Sequence, residues 1–196
     1  MDLQYGQQLV LASASPRRLQ IFNNAGFQVK VEPANVDETI LPATEPGTAV
    51  RTLALRKAEA IAAHYPDRVI VGADTIVFHQ DQILEKPLSP DHACDMLQQL
   101  QGEWHSVFTG FALLKLKDSI SLVQVEETRV KFLPLTAEYI QHYVASGEPM
   151  DKAGAYGIQE RGALMVEKIE GCYFNVMGFP IAAFYREFKR LFAEVK

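Results

Sequence analysis

Residues Leu9 to Arg18, Leu-Val-Leu-Ala-Ser-Ala-Ser-Pro-Arg-Arg, constrain the fold more than any other stretch of this chain. Leu9, Val10 and Leu11 make an apolar run suited to a covered strand, while Ser15 followed by Pro16 suits a helix N-cap and first turn. A strand that passes through small residues into a helix commits the chain to an α/β arrangement. Free backbone N–H groups and the positive end of the helix dipole gather at such a turn. Arg17 or Arg18 can add forked donors that fit phosphate oxygens. The segment therefore suits an anion. The alternative is a solvated arginine pair at an ordinary helix start, since no glycine-rich phosphate signature accompanies it.

Composition narrows the possible partners. At 196 residues the chain can bury a substantial core, and no linker-like stretch divides it. A formal net charge of -5 argues against a general nucleic-acid or anionic-membrane binder, so any anionic ligand must be met locally. The longest apolar runs fall far short of a bilayer span. Residues 1–8 carry neither a basic stretch nor an apolar signal core, so a cytoplasmic protein is expected. Cys94 and Cys172 are too few and too far apart for a disulfide framework or a cysteine metal site, and packing roles are expected for both.

The remaining pattern alternates helix and strand. A short helix over 16–24 stops near Gly26, and 27–31 resumes as strand. The segment 44–47 leads into a long helix in which Val50, Leu53, Ala54, Ala58, Ile61 and Ala62 recur at helical spacing. Residues 69–78 form the strongest strand, which turns through 80–82 into Ile83 and Leu84. Ser89-Pro90 repeats the cap logic and starts a helix that closes at Gly102. Two long strands, 104–116 and 120–133, meet near Lys117-Asp118-Ser119. A helix over 136–146 precedes the polar, glycine-rich segment 147–162, a strand over 164–169 follows it, and an amphipathic helix over 180–195 ends the chain. A mixed α/β sheet flanked by helices is the expected fold class.

Several residues in this frame could carry chemistry. Asp74, in Gly72-Ala73-Asp74-Thr75, is a carboxylate inside a strand that otherwise predicts burial, and it needs a metal, a lysine or backbone donors as partner. A structural aspartate bonded to turn amides is the plainer reading. Thr75 could contact a ligand or satisfy its own backbone. Glu85-Lys86-Pro87 closes the same hairpin and brings an acid and a base near that strand; Lys86 is either a phosphate partner or a solvated surface residue. Lys57 falls close to the packed edge of the long helix. Asp37-Glu38 lies in an early loop, either solvated or offering carboxylates to a hard divalent cation. His105 reads as core or surface, and no zinc spacing or nucleophile-elbow signature is present. In Asp151 to Gln159 small residues let the backbone approach a ligand, and the Gln159 amide matches the O4 and N3–H edge of uracil or thymine. Guanine offers a similar edge, so pocket size would have to exclude purines.

Together these segments resemble the Maf family of nucleoside triphosphate pyrophosphatases. The resemblance runs through Leu11 to Arg18, Val36-Asp37-Glu38, Lys57-Ala58, Gly72 to Thr75, Glu85-Lys86-Pro87, His105 to Gly110 and Asp151 to Gln159. It implies one domain over 1–196, with an elongated twisted sheet around a central nucleotide cleft, as in ITPase-like enzymes. The Ala155-Tyr156-Gly157-Ile158-Gln159 version is similar to the branch acting on dTTP and UTP. Carried over by position, Asp74 matches the general base, and Arg17, Thr75 and Gln159 match positions of substrate selection. Ser13, Arg18, Glu38, Lys57 and Lys86 match further active-site positions, with Glu38 and Asp74 holding Mg²⁺ or Mn²⁺. The resemblance further implies a homodimer, alongside the cytoplasmic location and the absence of nucleic-acid and membrane partners expected from composition and charge. Gln20, Glu160-Arg161 and Phe179 depart from the usual family residues glutamate, glycine and leucine. Two other classes fit the same residues: a non-catalytic nucleotide-binding regulator linked to cell division, and a hydrolase with Ser13 or Ser15 as nucleophile and Lys57 as base.

Overall fold

A computed structural model describes residues 7–192. Residues 1–6, where no signal segment is expected, and 193–196, into which the terminal helix was expected to run, lie outside the described residues. The elements run β1 (Leu9–Ala12), α1 (Pro16–Asn24), β2 (Val29–Val31), α2 (Pro46–Ala62), β3 (Val69–His79), β4 (Gln82–Leu84), α3 (Pro90–Leu100), β5 (Trp104–Lys115), β6 (Ile120–Phe132), α4 (Ala137–Ala145), β7 (Val166–Glu170), α5 (Tyr173–Val176) and α6 (Ile181–Phe192). Seven strands form one mixed sheet in the order β2-β1-β3-β5-β6-β7, with β4 beside β3. β1 pairs in parallel with both β2 and β3, as strands joined by helical crossovers must, whereas β4 returns antiparallel to β3 and β7 runs antiparallel to β6. This is the mixed α/β class that the alternation predicts.

The chain divides into two compact units. The first holds Met1–Asp74, Thr109–Glu126 and Gly178–Lys196, and the second holds Thr75–Phe108 and Glu127–Met177.

In the first unit, Ser15 caps α1 as predicted, its side chain accepting from the Arg18 amide, and Pro16 occupies the first turn. α1 and α6 meet through aromatic rings. Phe22, Phe27, Phe179, Phe184 and Phe188 are all buried and contact one another mostly edge-on or tilted, the geometry that ring quadrupoles favour. Phe179, one of the departures from the family pattern, is thus part of this core. α2 approaches the sheet closely because two strands present glycine beneath it. A Cβ on Gly72 would stand 2.1 Å from the Ala54 carbonyl oxygen, and one on Gly110 would stand 2.3 Å from that of Val50.

In the second unit, Val77, Leu97, Leu100, Val107, Phe132, Ile140 and Tyr156 belong to one apolar cluster. The β3–β4 hairpin turns on Gln80 and Asp81, both in the left-handed region at φ 46° and 62°, the two-residue geometry that matches strand twist. The predicted strand over 164–169 begins two residues late, because Leu164 and Met165 finish a 3-10 turn. β2 likewise starts at Val29 rather than at residue 27. The short helix α5 has no counterpart in the periodicity, because four residues are less than the window on which a helical period can be read.

Candidate active site

In the first unit the predicted residues converge. Gly72 and Asp74 are two residues apart on β3 and therefore share a face. The close seating of α2 over Gly72 brings Lys57, next to Ala58, onto that face. Lys57 Nζ donates to Asp74 Oδ1 at 2.6 Å and lies 3.0 Å from Glu38 Oε1. Both members of the Lys57–Asp74 pair are buried, whereas the Glu38 side chain is half exposed. Of the three partners that a buried Asp74 could have, the structure supplies lysine. Lys57 is more deeply placed than its expected position at the edge of the helical face, since it is 7% exposed.

The turn before α1 contributes the second cation. Arg18 is buried; its Nε donates to the Gly178 carbonyl at 2.9 Å and its Nη1 to Ser13 Oγ at 3.0 Å. Ser13 Oγ also accepts the Ser15 amide at 3.2 Å. Burial pulls the Arg18 pKa below its ordinary value, Asp74 and Glu38 act in the opposite direction, and Arg17 adds to the lowering. A guanidinium remains charged through such shifts. Arg18 is therefore an inward-facing cation rather than a member of a solvated pair, while Arg17 on the same turn is half-buried. The tie to Gly178 spans 160 positions, and no local pattern announces it.

The other predicted residues belong to the second unit. Thr75 is half-buried on β3, and Lys86 and Glu85 are exposed after β4. The Gly154 amide donates to the Glu85 carbonyl at 3.1 Å, which joins the Glu85-Lys86-Pro87 segment to the glycine-rich one. Gln159 is half-buried with an extended backbone at φ -92° and ψ 169°. Glu160 follows at φ 56°, a left-handed conformation in which glycine carries no steric cost, so this departure from the family pattern falls where backbone geometry favours glycine. His105 is core: Nε2 lies 2.7 Å from Tyr156 Oη, and the ring packs edge-on against Phe132. A wide, open depression of about 650 Å³ is lined by residues that include Glu148, Asp151, Lys152, Glu160 and Arg161; it touches the start of the candidate segment 151–159 but not Gln159, Asp74, Lys57 or Lys86. Among the described residues no group of three or more His, Cys, Asp or Glu could hold a metal ion. No helix among them is long and apolar enough to cross a membrane.

Known proteins resemble this chain along nearly its whole length. It is 50% identical over 185 residues to the dTTP/UTP pyrophosphatase of Geobacillus sp. (strain WCH70), covering 94% of this chain and 98% of that protein. It is 42% identical to the dTTP/UTP pyrophosphatase of Bacillus cereus (strain B4264), with 96% and 98% covered. Identity to the dTTP/UTP pyrophosphatase of Salinibacter ruber (strain DSM 13855 / M31) is 44%, with 98% and 95% covered. Residues 8–191 match the family described as Maf-like protein, a span that takes in β1, the Lys57–Asp74 pair and the Gln159 segment. The chain belongs to the Maf-like protein family.

Proposed function

We propose that the chain is a nucleoside triphosphate pyrophosphatase that hydrolyses dTTP and UTP to the monophosphate and pyrophosphate. The observation that carries this reading is the buried Lys57–Asp74 pair with Glu38 and Arg18 about it. The names of the three relatives supply the substrate class.

Asp74 is the base. It orients a water and takes its proton as the water oxygen bonds to phosphorus, and the phosphoanhydride P–O bond breaks with pyrophosphate as leaving group. Lys57 holds the Asp74 carboxylate in place through the 2.6 Å contact. Two cations, Lys57 and Arg18, are already balanced by two carboxylates, Asp74 and Glu38. The charge of a triphosphate therefore calls for further cations, and Arg17 and Lys86 are proposed to supply them, with Ser13 and Thr75 as polar contacts. Glu38 and Asp74 converge on one ammonium, and a pair of carboxylates completed by phosphate oxygens is a donor set that suits Mg²⁺ or Mn²⁺. When bound there, such an ion would neutralise phosphate charge and lower the pKa of water. Gln159 is proposed to read the pyrimidine O4 and N3–H edge. The family resemblance also supports a single domain over 1–196 and a cytoplasmic homodimer.

The Ser/Lys hydrolase has less support. Ser13 Oγ accepts from Arg18 and from an amide, Ser15 Oγ is engaged as the α1 cap, and Lys57 donates its protons to two carboxylates, a disposition that pairs neither serine with Lys57 as its base.

A pyrophosphate-release assay over dTTP, UTP, GTP and 7-methyl-GTP with Mg²⁺ tests the reading. The two pyrimidine nucleotides should be turned over first, and Asp74→Asn should lose a hundredfold or more of the rate. Binding without turnover would leave the non-catalytic regulator standing, and near-normal turnover by Asp74→Asn would remove Asp74 as the base.

A further inference from the structure

The segment that carries Gln159 is closed at its base by residues outside the predicted site. An added Cβ on Gly162 would lie 2.0 Å from the Gly157 carbonyl oxygen and 3.0 Å from Tyr143 Oη, so the two ends of the loop 157–162 touch and only glycine fits there. Tyr143 projects from α4 to this contact. Its hydroxyl accepts the Gly157 amide at 3.4 Å and donates to Glu148 Oε1 at 3.1 Å, and the same carboxylate oxygen accepts the Gly162 amide at 3.3 Å. One hydroxyl and one carboxylate thus tie both ends of a six-residue loop, with Gln159 between them. Each bond is slightly longer than the usual range for its type, so the restraint comes from the set and from the glycine contact. Burial and the neighbouring Glu148 raise the Tyr143 pKa, which keeps the hydroxyl protonated and able to donate.

We propose that Tyr143 and Glu148 are positioning residues that hold the Gln159 loop preformed and thereby set the preference for pyrimidine over purine nucleotides. This rests on the proposed role of Gln159 in reading the base. A carboxamide held at one height and angle pairs with one base edge, whereas the same group on a mobile loop reaches several and loses discrimination with the added ordering cost. Tyr143 and Glu148 act through the loop backbone, so their effect falls on KM and on the choice between nucleotides rather than on the bond-breaking step.

Two measurements test this. The first compares kcat and KM for dTTP and GTP in the purified full-length protein. Tyr143→Phe keeps the ring and removes both bonds, and it should lower the dTTP-over-GTP ratio of kcat/KM about tenfold, chiefly through KM. Glu148→Ala should do the same, while Glu148→Gln, which keeps an acceptor oxygen, should retain most of the ratio. The second measurement is hydrogen exchange at the Gly157 and Gly162 amides. Exchange should quicken there in Tyr143→Phe while amides of β5 remain as protected as before. Unchanged exchange at the two glycines overturns the clamp whatever the activity. An unchanged nucleotide ratio, in an enzyme whose wild type prefers dTTP, overturns its role in specificity. A wild type that hydrolyses neither dTTP nor UTP defeats the substrate reading, and the exchange result still decides the clamp.

Discussion

His105 shares a 2.7 Å hydrogen bond with Tyr156 Oη through Nε2, its Nδ1 has no partner among the described residues, and burial lowers its pKa to about 3, with His79 adding to the shift. A histidine held neutral in the folded chain but free to protonate near 6.5 when unfolded favours unfolding in acid. Its contribution is intact above pH 6.5 and is lost as pH falls from there toward 3. Between pH 7 and pH 5 this one residue should cost about 2 kcal/mol of stability. In urea titrations at the two pH values, His105→Asn should lose correspondingly less than the wild type. Parallel losses would show that other groups govern the acid limb. The residue scale is also where the sequence was most informative about chemistry. Asp74 stands out as a carboxylate within an apolar strand, and a buried carboxylate must have a partner. Which partner it has depended on where α2 came to rest.

At the scale of elements, most of the fold is legible because its signals are local. Ser15-Pro16 and Ser89-Pro90 start α1 and α3 where cap chemistry predicts, and Thr136 caps α4 through the Tyr139 amide. The packing of α2 is a different matter. Gly72 within an apolar strand signals close backbone approach but does not say by what. Gly72→Ala would drive a methyl into the Ala54 carbonyl, a backbone atom that cannot turn aside, and should cost about 3 kcal/mol or more. Ser15→Ala, which removes one cap bond from α1, should cost about 1 kcal/mol. Thermal or chemical denaturation of the two variants gives the order directly. A smaller loss for Gly72→Ala than for Ser15→Ala would mean that α2 is free to move off the sheet, and with it Lys57 off Asp74.

At the scale of the whole molecule, a formal charge of -5 repels a triphosphate, and the Lys57, Arg18, Asp74 and Glu38 cluster has no net charge to offset that repulsion. The substrate should therefore be turned over only with a divalent cation to neutralise it. Chelation with EDTA should reduce hydrolysis to background, and Mg²⁺ or Mn²⁺ should restore it. The melting temperature of the protein without nucleotide should stay the same, because two carboxylates already paired with Lys57 do not depend on a metal for their partner. Full turnover in EDTA would remove the metal from the reading. The sequence by itself determined the alternation of strand and helix, the helix starts and the residue types able to meet phosphate, because caps, turns and periodicity act over a few neighbours. The tertiary structure decided what lies between distant positions: Lys57 on Asp74, Arg18 on Gly178, and Tyr143 with Glu148 at the base of the Gln159 loop. The first and last of these depend on how closely two backbones approach, which is set by the side chains absent at Gly72 and Gly162, and the second joins positions 160 apart in the chain; all become visible only when the elements are packed.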